Sequence, residues 1–128
     1  MIEIMVVISI ISVLLLAMLP NFVRAKARTR LTACESNLRN YATALELYGR
    51  DNNSNFPPTG QFSLLVPNYL RIISKCPSCV DNTSYLNGYA SAQQPDRYTM
   101  MCSGDNHLEL NLPTNRPMYT LDGSLTER

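Results

Sequence analysis

The sequence has little net charge, few glycines and no pattern typical of a common catalytic site. Its 128 residues carry 11 basic and 10 acidic side chains, and a formal net charge of +1 argues against a dedicated nucleic-acid binder. The length excludes a multidomain enzyme, and the composition excludes a collagen-like or disordered chain. A phosphate-binding loop, a nucleophile elbow and paired catalytic carboxylates are missing from the sequence. We therefore expect no enzyme activity and no cofactor.

The hydrophobic residues are concentrated at the N-terminal end of the chain. The first 23 residues hold 18 of them and a single charged residue, Glu3. The run from Ile4 to Leu19 is interrupted only by two serines, and with its apolar flanks it is long enough to span a bilayer as a helix. Because no face of this helix is polar, lipid or other apolar helices must surround it. Four basic residues follow and are expected to lie at headgroup level: Arg24, Lys26, Arg28 and Arg30.

Glu3 is the feature that a simple membrane anchor does not explain. A cleaved secretory signal is a weaker alternative, because no basic residue precedes the apolar run. In a plain single-pass anchor, Glu3 would lie at the headgroup edge beside the amino terminus. If identical helices pack together, however, Glu3 can pair with the N-terminal ammonium of a neighbouring copy and fix the axial register between them.

The segment IEIMVVI (residues 2–8), the apolar run and the sequence LPNF (residues 19–22) resemble the N-terminal segment of type IV pilins and type II secretion pseudopilins. The resemblance implies that Glu3 neutralises the N-terminal amine of a neighbouring subunit, and that Pro20 breaks the helix. It also implies processing by a prepilin peptidase and methylation of the new N-terminal residue. The chain departs from the family by beginning Met-Ile-Glu, where the family usually reads Phe-Thr-Leu-Ile-Glu after a short leader. Met1 is thus the assembly amine only if it is the mature end.

The function implied by this resemblance is that of a structural subunit in a helical filament. Such a subunit is anchored in the bacterial inner membrane, is extracted by a pilus assembly machinery, and polymerises with itself at the cell surface for adhesion, motility or DNA uptake. No specific nucleic-acid partner is expected. A pseudopilin is the alternative within the family, but the C-terminal part has no acidic calcium-loop pattern. The alternative from another class is a membrane-anchored monomeric binding or redox module that uses Cys76 and Cys79.

After residue 23 the helical pattern becomes amphipathic. Apolar residues recur every three or four positions, which predicts one helix face packed on the rest of the chain. These residues are Leu31, Cys34, Leu38, Tyr41, Leu45 and Tyr48. Gly49 and the following polar residues predict the helix end. We divide the chain into a stem, residues 1–30, and a head, residues 31–128.

The head is expected to place a small antiparallel sheet on the helix, which makes the fold class α+β. Residues 62–66 predict a short helix that ends at Pro67. Residues 98–102 and 107–112 predict a β-hairpin, because the second segment alternates apolar and polar residues. Met118–Leu121 is the expected last strand.

The four cysteines, Cys34, Cys76, Cys79 and Cys102, predict two disulfides in a head that lies outside the cytoplasm. All three pairings are open, and we favour Cys34 with Cys76 and Cys79 with Cys102. A zinc site formed by Cys76, Cys79, Cys102 and His107 is the competing interpretation. It is disfavoured because the chain has a single C-x-x-C pair and because Cys34 would be left over. We therefore expect no metal.

Overall fold

The computed structural model describes residues 2–79, 83–93 and 96–127. Its largest element is the helix α1, Ile2–Asp51. The helix ends where the sequence predicts, because the N–H groups of Asn52 and Ser54 donate to the carbonyls of Tyr48 and Gly49 at 3.0 and 2.7 Å. Asn53 and Ser54 then take left-handed backbone conformations, with φ of 55° and 66°, and turn the chain back along the helix.

The helix break expected at Pro20 is not present, since α1 runs through this position as one element. Proline has no N–H group and therefore removes one backbone hydrogen bond from a helix interior. That loss permits a kink without ending the helix.

The N-terminal half of α1 makes no packing contact with the head that would bury it. Every side chain described between residues 2 and 26 is exposed. The hydroxyls of Ser9 and Ser12 donate to the carbonyls of Val6 and Ile8, both at 2.7 Å, so the two serines add no unpaired polar group to the apolar surface. By length and composition, α1 is able to cross a membrane.

Four short strands form one antiparallel sheet in the order β1–β2–β3–β4, which confirms the α+β fold class. Their bounds are β1 Tyr89–Gln93, β2 Asp96–Met101, β3 Met118–Thr120 and β4 Leu125–Thr126. A short helix, α2, Ser84–Asn87, leads into β1, and a 3₁₀ helix, Phe62–Leu65, occupies the expected position before Pro67. The expected last strand is β3, and β4 follows it.

The core lies between the second half of α1 and the head, as the apolar stripe predicts. Cys34, Leu38, Tyr41 and Leu45 are at most 2% exposed. The ring of Tyr41 makes edge-to-face contacts with Phe62 and Tyr85, each with centroids 5.2 Å apart. Its hydroxyl donates to the carbonyl of Ser74 at 2.6 Å. Because Ser74 lies in the loop that precedes Cys76, this hydrogen bond ties that loop to α1.

The predicted hairpin between residues 98–102 and 107–112 is wrong. The strand β2 pairs with β1 on one side and β3 on the other, so no edge of β2 remains for residues 107–112. Those residues form a 3₁₀ helix, Leu108–Leu110, that ends at Asn111 in a left-handed conformation with φ of 57°. Alternation of apolar and polar residues over so short a segment does not distinguish a strand from a turn.

Candidate functional site

The stem presents an apolar surface with one charged group among its first 23 residues. Glu3 lies in the first turn of α1 and is exposed, and large apolar side chains surround it along the helix. Ile4, Val13 and Leu16 are each between 67% and 68% exposed. Met1, the residue whose amine the resemblance pairs with Glu3, lies outside the described residues. A surface of this kind is stable only when lipid or another apolar surface covers it.

A second candidate site lies inside the head, where three thiols and one imidazole converge. The ligand atoms of Cys34, Cys76, Cys102 and His107 all lie within 4.8 Å of one another, and we call this group the thiol–imidazole cluster. The three cysteines are 0% exposed and His107 is 4% exposed. Cys79 is partly exposed and does not belong to the cluster.

Four separate segments of the chain supply the cluster. Cys34 comes from the apolar face of α1, and Cys76 from the loop before α2. Cys102 follows β2 directly, and its N–H donates to the carbonyl of Pro117 at 3.0 Å. His107 precedes the 3₁₀ helix that replaces the predicted second strand. The cluster therefore lies where helix, sheet and loops meet.

Polar groups around the cluster point at its sulfur atoms. The hydroxyl of Tyr85 donates to Sγ of Cys34 at 3.2 Å, and Nδ2 of Asn106 donates to Sγ of Cys102 at 3.3 Å. Nε2 of His107 lies 3.6 Å from Sγ of Cys76. The other ring nitrogen, Nδ1, lies 3.4 Å from Oγ of Ser78. The imidazole is therefore oriented with Nδ1 toward Ser78 and Nε2 toward the sulfur of Cys76.

Contacts among the three thiols shift their pKa values in different directions. Hydrogen bonds with Cys102 and then Cys34 lower the pKa of Cys76. Hydrogen bonds with Cys102 and Cys76, together with burial, raise the pKa of Cys34. For Cys102 the contact with Cys34 lowers the pKa, but the contact with Cys76 and burial outweigh it and raise the pKa to about 12. Cys76 is therefore the sulfur that holds negative charge most readily.

All four cysteines are free in this structure. The structure brings Cys34 next to Cys76, as the favoured pairing requires, but it also brings Cys102 into the same group. The pairing itself stays a prediction. Sequence reasoning placed Cys79 with His107 and left Cys34 out, and the structure exchanges the two.

A polar cleft lies beside α1 near the C-terminal end of the chain. Its lining includes Arg28, Glu35 and Glu127. Oε1 of Glu35 is buried and has no hydrogen-bond partner. Burial, followed by the charge of Glu127, raises the pKa of the Glu35 carboxyl above its ordinary value.

Comparison with known proteins adds no relative. No protein-family model matches the chain. No curated protein and no solved structure matches it either.

Proposed function

We propose that the chain is a pilin-like structural subunit that polymerises into a helical filament through its stem. The observation that carries the proposal is the contrast within α1. One face of its second half is buried against the head, whereas the side chains described from residues 2 to 26 are exposed. Within the stem, the described side chains before Ala27 take no part in the core of the head, so they are free to pack on something else.

The inner membrane holds the stem before assembly, and stems of other copies hold it afterwards. Both environments remove the apolar side chains from water. Since lipid is as apolar as another stem, hydrophobicity alone does not favour the filament over the membrane. Polar pairs and contacts between heads must supply the difference. Glu3 is the acidic group placed to do so, through the N-terminal ammonium of a neighbouring copy.

The four basic residues that follow the apolar run fit both states. At the membrane they lie at headgroup level, where anionic lipids attract them. In the filament they lie at the boundary between the stem bundle and the heads. The proposed role is structural, without catalysis, and the assembled polymer would lie on the outside of the cell.

Glu3→Ala tests the proposal, with Glu109→Ala as the matched control, because Glu109 is exposed on the head and far from the stem in sequence. Each full-length protein is produced in cells that carry the assembly machinery, material sheared from the cell surface is imaged by negative-stain electron microscopy, and the membrane fraction is probed for the subunit. We expect filaments from the wild type and the control, and membrane-bound subunits without filaments from Glu3→Ala.

Normal assembly of Glu3→Ala would remove the register role, and a wild-type protein that never forms filaments would overturn the proposal. The pseudopilin alternative is separated by filament length at the cell surface. Long filaments in material sheared from producing cells support a pilus proper.

A further inference from the structure

We propose that the thiol–imidazole cluster binds one zinc ion, which ties the head to α1. The inference is independent of filament formation, because the stem contributes no residue to the cluster. It also replaces the ligand set considered from sequence, since Cys34 takes the place of Cys79.

The number of thiols argues against disulfides as the full explanation of the cluster. A disulfide joins two sulfurs, so any one bond among Cys34, Cys76 and Cys102 leaves a third buried thiol, and the remaining cysteine, Cys79, lies outside the cluster. A tetrahedral zinc ion uses all three sulfurs and the imidazole together. A set of soft thiolates and one neutral imidazole binds zinc in preference to magnesium, calcium or manganese.

The distances are those that a tetrahedral site needs. With zinc–sulfur bonds of about 2.3 Å and zinc–nitrogen bonds of about 2.0–2.1 Å, the tetrahedral angle places sulfur and nitrogen about 3.6 Å apart. The separation between Sγ of Cys76 and Nε2 of His107 is 3.6 Å. The same geometry places two sulfurs about 3.8 Å apart. All ligand atoms of the cluster lie within 4.8 Å of one another, so small side-chain adjustments complete the site.

The surroundings supply the outer shell that such sites require. The Nδ1 of His107 lies beside Oγ of Ser78, and donation of the Nδ1 proton to that oxygen leaves the Nε2 lone pair for the metal. Three thiolates and one zinc ion carry a net charge of −1. The donors from Tyr85 and Asn106 point at two of the sulfurs and offset that charge.

Binding changes the protonation of the cluster in a defined way. The three thiols release their protons to solvent as three zinc–sulfur bonds form, and Nε2 of the neutral imidazole donates its lone pair. No oxidant or reductant is required. Because the ligands come from four segments, binding stabilises the folded head and not the unfolded chain.

The first test is metal content. Three full-length proteins are purified in detergent with a reducing agent: the wild type, Cys34→Ser and Cys79→Ser. Bound metal is measured by inductively coupled plasma mass spectrometry. We expect one zinc per chain for the wild type and for Cys79→Ser, whose thiol lies outside the cluster. We expect no bound zinc for Cys34→Ser. Absence of zinc from the reduced wild type, or equal loss from Cys79→Ser, would overturn the proposal.

A second test keeps the proposal falsifiable if Cys34→Ser fails to fold. Cobalt is titrated into metal-free wild type and into His107→Ala, and the absorption spectrum is recorded. Wild type should show thiolate-to-cobalt charge transfer with tetrahedral d–d bands, whereas His107→Ala should show an altered d–d envelope. Identical spectra would remove the imidazole from the site. Mass spectrometry of protein isolated without reductant adds a further check. A disulfide between two cluster cysteines that persists when zinc is added would also contradict the proposal.

A third test changes a hydrogen-bond donor to the cluster and leaves all four ligands in place. Tyr85→Phe removes the donor to Cys34 and keeps the ring, and we expect zinc affinity to fall about tenfold. Tyr98→Phe is the control, because its hydroxyl lies 3.5 Å from Oε1 of Glu46 and not at the cluster. Equal affinity in the two variants would show that the Tyr85 hydroxyl does not support a metal.

Discussion

Two leucines near the C-terminal end of α1 provide a matched test of how the helix packs on the head. Leu45 is 0% exposed, whereas Leu47, two residues later on the opposite side of the helix, is 44% exposed. Replacing each with alanine changes helix propensity equally, so the difference between the variants measures burial. We expect Leu45→Ala to lower the free energy of unfolding by about 2–5 kcal/mol, since it removes a buried side chain and leaves a cavity. Leu47→Ala should lower it by about 1 kcal/mol or less.

The assay must report on the head and not on the stem. All 7 tyrosines lie in the head, so near-ultraviolet circular dichroism at the tyrosine wavelengths, where phenylalanine does not absorb, follows the unfolding of the head. For a domain of this size, 1 kcal/mol shifts the melting temperature by about 4–8 °C, so the two variants should separate by well over 5 °C. Equal melting temperatures would refute the packing of this stripe against the head.

Two further predictions concern the sheet and the polar cleft beside α1. Gly88→Ala places a methyl group against the backbone carbonyl of Met101, which must move, so we expect a loss of about 1–3 kcal/mol in chemical denaturation. A Gly88→Ala variant that is as stable as the wild type would contradict the close approach of these two segments. The pKa of Glu35 is raised from its ordinary value of 4.5, so the stability that this group contributes is present below pH 4.5 and is lost as the pH rises through the folded-state pKa. Glu35→Gln should therefore raise the melting temperature at pH 7 more than at pH 4, and the opposite order would contradict the burial of this carboxyl.

The long helix and its two surfaces could be predicted from the sequence because each depends on a pattern that extends over many turns. An all-round apolar run and a stripe repeated every three or four residues leave few alternative structures. The position of the helix end followed from Gly49 and the polar residues after it. In these regions local preference and tertiary packing favour the same structure.

The second half of the head was harder to predict because its patterns are short. Residues 107–112 alternate like a strand, but β2 already has a partner on each side, and a sequence does not show which edges are occupied. The cluster is hidden in the sequence because its members are far apart in the chain. Cys34 is 42 positions from Cys76 in the chain, and nothing local indicates that the apolar face of α1 carries a ligand. One signal was available, since Cys34 was the cysteine that the sequence-based zinc site left unexplained.

The central claim is that the stem is the assembly element and that Glu3 sets its register. Cryo-electron microscopy of filaments sheared from producing cells tests it most directly. The account predicts a core of packed stems surrounded by heads, with the carboxylate of Glu3 within ion-pair distance of the N-terminal amine of a neighbouring subunit. A core without the stems, or a Glu3 carboxylate that faces solvent in every subunit, would contradict it.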